Sequence, residues 1–374
     1  MSRIFISPPD ISGRERELVT EVFDSNYIAP VGAMLTKFEE DMCNYTGFSH
    51  AVALSSGTAA LHLALRVVGV SEGDEVWTTA MTFIGGVSPI TFVGAKPVFF
   101  DVSSEHWTID PDLLEVELKK AASAGKLPKA IMPTDIYGQS CDLDRILDLC
   151  NEYGIILVTD SAEAVGAFYK GRHAGVGAHC AALSFNGNKM MTTSGGGMLV
   201  SNDKAIIDKA RYLSTQARQP VAHYEHVEIG YNYRLSNVCA AIGVGQLEQI
   251  ESKVEKRRAH FDRYVDAFSK YDGMDFMPEP EGYRSTRWLT CMTLSKDMKV
   301  TRDDVQAACD AANIEVRALW NPMHKQPVFK GNKMIGGAVC EDLFERGLCL
   351  PSGSGMPVSD QKRVIDVIKS VIDG

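Results

Sequence analysis

The stretch SFNGNKMMTTSGGG, residues 184–197, connects two apolar segments and contains one lysine, Lys189. The segments 181–185 and 197–200 on either side are strand-like, so the connecting loop is predicted to lie at the edge of a buried sheet. A lysine that serves only solubility is not expected there. A partly buried lysine can act as a neutral amine, which attacks carbonyl carbons and forms a Schiff base. Lys189 is therefore the first candidate for a reactive residue.

A second signal lies upstream, in GIILVTDSAEA at residues 154–164. An apolar strand ends there on Asp160, and open α/β sheets bind ligands at the carboxyl ends of their strands. A carboxylate from one strand end and a lysine from a following loop are the two groups that pyridoxal 5′-phosphate (PLP) requires. The carboxylate would keep the ring nitrogen of PLP protonated. The alternative is a structural acid that caps a helix starting at Ser161. Glu163, three residues on, is a candidate contact for the ring 3-hydroxyl.

Two further segments fit the same site. SSGTAALHLAL, residues 55–65, has the pattern of a strand end, a turn of small residues and a helix start, which together can bind a phosphate. An ordinary helix cap is the alternative for this segment. Phe83 follows another strand end and is a candidate to stack on a cofactor ring, although an aromatic residue at such a place is more often part of the core.

The alternation of apolar runs and helical periodicity between about residues 50 and 235 predicts an α/β fold with a mostly parallel sheet covered by helices. The predicted strands are 75–80, 97–102, 130–134, 155–160, 181–185 and 197–201, and the predicted helices are 58–68, 85–92, 111–124 and 143–152. Residues 236–271 predict one long helix. A smaller α/β unit follows, with strands near 288–294 and 315–319 and helices near 302–312 and 359–372.

Composition narrows the possible partners. The chain has 374 residues with a formal net charge of −10, which argues against nucleic acid or an anionic membrane as the main partner. The sequence predicts neither a signal peptide nor a membrane span, so we expect a cytoplasmic protein. The nine cysteines are single and predicted to be reduced. His223 and His226 are the only histidine pair, and without a third ligand nearby we expect no metal site.

Several motifs together resemble the DegT/DnrJ/EryC1/StrS family of nucleotide-sugar aminotransferases, which are PLP enzymes of fold type I (aspartate aminotransferase-like). The motifs are NYIAPVG (26–32), SGTAAL (56–61), YGQ (137–139), DSAEA (160–164), the Lys189 segment and GYNYRLSN (230–237). The resemblance implies a mostly parallel seven-stranded sheet between helices, with a smaller C-terminal α/β domain. The implied division is an N-terminal segment, 1–35, that packs with the small domain, a large PLP-binding domain, 36–250, and a connecting helix with the small domain, 251–374.

The resemblance also implies roles for individual residues. Lys189 would form the Schiff base with PLP, Asp160 would hold the ring nitrogen and Glu163 the 3-hydroxyl. The remaining cofactor contacts would be stacking by Phe83, phosphate binding by Gly57, Thr58 and Ser184, and a contact from Asn232 to the phosphate in the partner subunit. A homodimer with two shared active sites follows from that last role. Ser161 and Asn186 stand where many relatives have alanine and histidine, and both could adjust specificity.

Within the family, the chain is most similar to C4 aminotransferases of UDP-N,N′-diacetylbacillosamine biosynthesis. The similarity lies in segments such as 7–9, 25–30, 186–189, 214–218, 223–226 and 351–353. It implies transfer of the amino group of L-glutamate to C4 of UDP-2-acetamido-2,6-dideoxy-4-hexulose, which gives UDP-4-amino-4,6-dideoxy-N-acetylglucosamine. Candidate substrate contacts, each of which could instead be structural, are Asn26, Tyr27, Arg218, Arg234, Trp320 and His324.

Other functions share parts of this pattern. A transaminase acting on a GDP- or dTDP-linked keto sugar would have the same cofactor residues. A sugar 3-dehydrase of the same fold would have histidine in place of Lys189. A non-catalytic binding subunit is expected to have lost Asp160 or Lys189, and this chain retains both.

Overall fold

A computed structural model of the chain describes residues 2–11 and 13–374. Met1 and Ser12, which belong to the predicted N-terminal segment, lie outside the described residues. The helices start and end largely at residues with suitable caps: the Asp110 carboxylate accepts the first N–H groups of one helix, and Gly154 ends another with φ of 65°. The helices are α1 (Glu15–Asp24), α2 (Ala33–Thr46), α3 (Gly57–Val67), α4 (Ile84–Phe92), α5 (Pro111–Ser123), α6 (Leu143–Tyr153), α7 (Lys204–Ser214), α8 (Asn237–Leu247), α9 (Ile250–Phe268), α10 (Arg302–Ala311), α11 (Ala338–Arg346) and α12 (Val358–Ile372).

The strands agree with the predicted alternation in the first two thirds of the chain. They are β1 (His50–Leu54), β2 (Glu75–Thr79), β3 (Lys96–Phe100), β4 (Ala130–Met132), β5 (Ile156–Asp160), β6 (Phe168–Tyr169), β7 (Arg172–His173), β8 (Cys180–Ser184), β9 (Gly197–Ser201), β10 (Met274–Phe276), β11 (Tyr283–Arg284), β12 (Thr290–Leu294), β13 (Arg317–Ala318), β14 (Met334–Ile335) and β15 (Gly347–Leu350). Two short 3₁₀ helices, Met323–Lys325 and Pro327–Phe329, precede β14.

The main sheet has the order β1-β9-β8-β5-β4-β2-β3-β14 and is mostly parallel, with β9 antiparallel to both of its neighbours. The α/β fold is therefore confirmed. The sheet has eight strands rather than seven, because the two-residue strand β14 extends its edge by pairing with β3. A strand of two residues is too short to produce a periodic sequence pattern, so the sequence did not indicate it.

Both faces of the sheet are buried, which explains the nearly continuous apolar strands. Successive residues of β5 point to opposite sides: Leu157 belongs to a core with helices α5 and α6, and Val158 to the larger core that includes α3. A third core belongs to the four-stranded antiparallel sheet β10-β12-β15-β13 and helices α10 and α12. The strand ends of the main sheet are consequently held rigidly from both sides.

The predicted single helix over 236–271 is wrong, because α8 and α9 are separate helices. Gln249 leaves the helical conformation, with φ of −109° and ψ of 4°, and α9 begins at Ile250. Two glycines in α8 also weaken its helical preference, and one of them, Gly245, lets α1 approach closely: a Cβ there would lie 2.9 Å from the Glu15 nitrogen.

The N-terminal residues contact both parts of the molecule. Ile4 pairs with Ile314 beside the small sheet, and Ile6 accepts a hydrogen bond from the Ser352 nitrogen. Helix α1, in contrast, packs against α8. The predicted domain boundaries at residues 35 and 250 remain predictions. Across residues 2–11 and 13–374, no helix combines the length and the apolar character needed to cross a membrane.

Candidate active site

The carboxyl ends of β5 and β8 and the start of α3 surround a cavity of about 360 Å³. We call it the first cavity. Eight of the predicted site residues line it. The fold brings them together from distant segments, since Gly57 and Trp320 are 263 positions apart in the sequence. These residues are Gly57, Thr58, Phe83, Asp160, Glu163, Ser184, Lys189 and Trp320.

Lys189 extends into the first cavity from the loop after β8. Its side chain is 12% exposed, and its Nζ lies 3.2 Å from Oε1 of Glu163. On its other side, Nζ lies 4.1 Å from the centre of the Trp288 ring. The lysine is thus held between a carboxylate and an aromatic face, beside a space large enough for a small ligand.

Asp160 lies at the end of β5 and is 4% exposed. Oδ1 accepts a hydrogen bond from the Ala162 nitrogen, and Oδ2 faces Gly86 of α4 so closely that a Cβ there would lie 2.4 Å away. Burial, followed by the nearby charge of Glu163, raises the pKa of Asp160 to about 7. A cation beside this carboxylate would stabilise its charged form. The helix that Asp160 was expected to cap in the alternative interpretation is absent, because residues 162–166 form turns.

Glu163 is held by both of its oxygen atoms. Oε2 accepts a hydrogen bond from the Tyr137 nitrogen at 3.0 Å, while Oε1 faces Lys189. The hydroxyl of Tyr137 accepts a hydrogen bond from the Trp320 nitrogen at 2.7 Å, which connects this carboxylate to another wall of the cavity.

The start of α3 is arranged as an anion site. Ser56 caps the helix through its Oγ, which accepts the Ala59 N–H, so the N–H groups of Gly57 and Thr58 have no acceptor within the helix. The backbone of Gly197, the first residue of β9, packs directly against this turn. A Cβ on Gly197 would lie within 2.4 Å of the Ser56 and Gly57 backbone. Ser184 is also close, because a Cβ on Gly57 would lie 3.0 Å from its Cβ.

Phe83 is 53% exposed, so the alternative that it belongs to the core is wrong. Its ring lies 5.5 Å from the ring of Trp320, and both rings border a second cavity of about 610 Å³. The second cavity shares Phe83, Asn188, Trp288 and Trp320 with the first, and its other lining residues are Phe5, Ile6, Ser7, Pro8, Pro9, Leu289, Glu315, Arg317, Ala318 and Cys349.

Six predicted site residues do not line either cavity in the single chain. Asn26, Tyr27, Arg218 and Asn232 are exposed, and the Arg218 guanidinium lies over the Tyr224 ring. His324 is not a plain surface residue, because its side chain is 12% exposed and its Nε2 lies 2.9 Å from Oε1 of Glu341.

Arg234, a predicted substrate contact, has a structural position instead. Its guanidinium donates to Oε1 of Glu39 at 2.6 Å and to the Ala53 carbonyl at 2.9 Å, and its side chain is 10% exposed. These contacts attach the segment after residue 230 to strand β1, which leads into the anion site.

Sequence reasoning missed Trp288, Tyr137 and Gly86 as parts of the site. Trp288 lies in a segment that carries no recognisable local pattern for ligand contact, and Tyr137 begins the YGQ motif, to which no role in the site was attached. Gly86 is one of several glycines in the predicted helix after Phe83, and only the position of Asp160 shows why it must be small.

His223 and His226 do not share a helix face, since residues 219–229 contain no helix. Their partners are Glu225 and the Gln216 carbonyl respectively. Over the two described ranges, no group of three or more histidine, cysteine or acidic residues could hold a metal ion.

The residues of the first cavity fit PLP. A buried carboxylate with a raised pKa suits a protonated ring nitrogen, the start of α3 suits a phosphate, and Lys189 suits an aldehyde. Glycines at 86 and 197 let the backbone lie directly against Asp160 and Ser56, because a Cβ at either position would come within 2.4 Å of them. Fold and site together define a PLP-dependent enzyme of fold type I.

Comparison with known proteins identifies the family. The DegT/DnrJ/EryC1/StrS aminotransferase family matches residues 9–369, and the chain belongs to it. EpsN of Bacillus subtilis (strain 168), provisionally named a PLP-dependent aminotransferase, is 48% identical over 370 residues, covering 98% of this chain and 95% of EpsN. GDP-perosamine synthase of Caulobacter vibrioides is 34% identical over 373 residues, covering 100% of this chain and 99% of the synthase.

The fold of the chain is also similar to that of a solved structure that contains PLP. The PLP form of Spr1654 from Streptococcus pneumoniae, provisionally named a sugar aminotransferase, has a TM-score of 0.89 at 27% identity, covering 99% of both chains. The chain is therefore a sugar aminotransferase that uses PLP.

Proposed function

We propose that this enzyme transfers the amino group of L-glutamate to C4 of UDP-2-acetamido-2,6-dideoxy-4-hexulose. The product is UDP-4-amino-4,6-dideoxy-N-acetylglucosamine. In this proposal the enzyme alternates between two half-reactions, one that accepts nitrogen from glutamate and one that delivers it to the keto sugar.

The observation that carries the proposal is that the two cavities adjoin. The first cavity contains Lys189 and Asp160, and it shares the rings of Phe83, Trp288 and Trp320 with the second. Aromatic rings suit a sugar face or a base, and Arg317 at the second cavity suits a phosphate or carboxylate. A substrate with an apolar ring surface and an anionic part therefore fits beside the reactive lysine.

Lys189 acts on both half-reactions. It would hold the cofactor covalently through Nζ in the resting enzyme, and once released it would move the proton at the reacting carbon of either substrate. Glu163, 3.2 Å from Nζ, orients the amine between these roles. When bound, PLP supplies the electron-withdrawing ring that makes this proton removable.

The other residues would fix the position of the cofactor. Asp160 would pair with the ring nitrogen, Glu163 would contact the 3-hydroxyl, and Phe83 would stack on the ring. The phosphate would be bound by the N–H groups at the start of α3, by the Thr58 hydroxyl and by Ser184.

The proposal includes a homodimer with shared active sites. Asn232 is exposed and pairs with Thr215 at the surface, so it is free to approach the phosphate in a partner subunit. Apolar side chains near it are exposed as well: Tyr224 at 79%, Val227 at 72% and Ile229 at 81%. Asn26, Tyr27 and Arg218 would reach a substrate across the same interface, whereas Arg234 is left out because Glu39 already binds it.

The sequence motifs shared with the bacillosamine-type enzymes favour a UDP sugar. A GDP-linked 4-keto sugar is the second candidate, and the 34% identity to GDP-perosamine synthase over the whole chain favours it. Both candidates require the same cofactor residues, so the difference lies in how the nucleotide is bound.

The test is a comparison of UDP-, GDP- and dTDP-linked 4-keto-6-deoxy sugars with 15N-labelled L-glutamate as donor. We expect the UDP sugar to be aminated with kcat/KM at least about tenfold above the others, since a few polar contacts to a base produce such discrimination. Nuclear magnetic resonance should place the 15N on C4. Preference for the GDP sugar, or label at C3, would contradict the proposal.

A further inference from the structure

Trp288 lines both cavities and is 1% exposed. One face of its indole lies 4.1 Å from Nζ of Lys189, measured to the ring centre. At that distance the ring attracts a lysine ammonium through its quadrupole, and the attraction is strongest where water is excluded. Trp288 therefore contacts the reactive atom of Lys189 without being a donor or acceptor to it.

Trp288 is held by hydrogen bonds at its indole N–H and at its backbone carbonyl. Its Nε1 donates to the Asn188 carbonyl at 2.6 Å, directly before Lys189 in the chain. Its backbone carbonyl accepts from the buried guanidinium of Arg257 at 2.6 Å. The Ser7 hydroxyl also donates to the Asn188 carbonyl, at 2.8 Å, so that this carbonyl is held by two donors.

We propose that Trp288 is a positioning residue for Lys189, acting through both the ring face and the indole N–H. The N–H fixes the backbone before the lysine, and the face keeps Nζ in the first cavity, near Glu163, while it is not bonded to the cofactor. A lysine side chain has about four rotatable bonds, so holding it in one conformation costs rotamer entropy. The fixed indole face reduces the number of conformations that Nζ can adopt before it reacts.

The inference rests on the proposed function, because it assumes that Nζ bonds to the aldehyde carbon of PLP. In that step Nζ would first give one ammonium proton to a base such as Glu163, 3.2 Å away, which frees its lone pair to add to the aldehyde carbon. The C=O bond would then be replaced by C=N, and the aldehyde oxygen would leave as water with the two protons that remain on Nζ. Trp288 forms and breaks no bond in this step. It affects only the position of Nζ before the reaction.

The test compares Trp288→Leu with Trp288→Phe in the full-length protein freed of cofactor. One measurement is the rate at which the visible absorbance band of lysine-bound PLP appears after mixing. The other is the equilibrium affinity for pyridoxamine 5′-phosphate, which has no aldehyde and cannot bond to Lys189. We expect Trp288→Leu to slow capture about tenfold, because Nζ loses its fixed placement in the first cavity, with unchanged pyridoxamine phosphate affinity.

Trp288→Phe retains an aromatic face and should capture PLP at a rate between those of wild type and Trp288→Leu. A purely structural role predicts that capture rate and pyridoxamine phosphate affinity fall together in Trp288→Leu, and this result would overturn the proposal. Capture at the wild-type rate in Trp288→Leu would overturn it equally. Failure of the wild-type enzyme to develop the visible band would instead refute the function proposed for Lys189.

Discussion

The two adjoining cavities differ in how they are built. The first has two buried carboxylates, a lysine and a helix start, all in contact with tightly packed backbone. The second has mostly apolar and aromatic walls, and its charged pair, Glu315 and Arg317, is partly solvated: the Arg317 side chain is 66% exposed. The difference suggests that the first cavity performs a fixed reaction, whereas the second can accept different substrates with few changes.

This comparison predicts large effects in the first cavity, beginning with Lys189→Ala. Loss of both the covalent attachment and the proton-transfer group should lower kcat/KM by about 10⁴-fold or more. The visible absorbance band of the PLP enzyme should disappear as well. Lys299→Ala, which removes an exposed lysine before α10, is the control and should match wild type. If Lys189→Ala showed the wild-type band, PLP would not be attached to Lys189, and the first cavity would not be the active site.

Asp160→Asn should be the next largest change. It removes a buried charge that would pair with the ring nitrogen, and breaking such a pair costs about 3–5 kcal/mol, or roughly 10²–10³-fold in activity. Asparagine has nearly the same shape, so the thermal unfolding temperature without PLP should not fall. Activity within a few-fold of wild type would contradict the assignment.

The same carboxylate predicts a pH dependence. Its pKa of about 7 in the folded protein lies above its ordinary value of 3.8, so folding favours the neutral form. Without PLP, this group's stabilising contribution is complete below about pH 4 and declines as the pH rises through about 7. PLP binding should show the reverse trend, because the ionised carboxylate attracts the ring cation. The PLP-induced rise in unfolding temperature should therefore increase between about pH 6 and 8 in wild type, and by less in Asp160→Asn.

Gly86→Ala should have a moderate effect. The new methyl group would lie 2.4 Å from Oδ2 of Asp160, so the carboxylate must move away from its place in the cavity. Overpacking of this kind costs about 1–3 kcal/mol, which corresponds to PLP binding weakened by about 5-fold to 150-fold. Gly187→Ala is the control, since a Cβ at Gly187 would lie 3.8 Å from its nearest contact, the Ser194 carbonyl oxygen. Equal PLP affinity in the two variants would show that Asp160 does not need its observed position.

The smallest effect is expected in the second cavity. Arg317→Ala should raise KM for the nucleotide sugar about fivefold, or about 1 kcal/mol, as is typical of a partly exposed charge. The value of kcat and the glutamate half-reaction should not change. An equal loss for both substrates would mean that the second cavity is not reserved for the sugar.

The same contrast explains how much the sequence could predict. Asp160, Ser184, Gly57 and Lys189 follow strand ends or begin a helix in one sheet, so short local motifs were sufficient to indicate them together. The second cavity combines residues 5–9, 288–289, 315–320 and Cys349, and no local pattern connects such distant segments. Arg234 presents the opposite case: it lies within a recognisable motif, but its partner Glu39 is known only from the fold, so the motif alone could not separate a substrate contact from a structural one.

The central claim is that Lys189 and Asp160 operate one PLP-dependent transfer from glutamate. The most direct test is the absorbance spectrum of the PLP-loaded wild-type enzyme during addition of L-glutamate and then of excess 2-oxoglutarate. We predict that glutamate abolishes the visible band and that 2-oxoglutarate restores it, with no keto sugar present. A visible band that does not respond to glutamate would contradict the account.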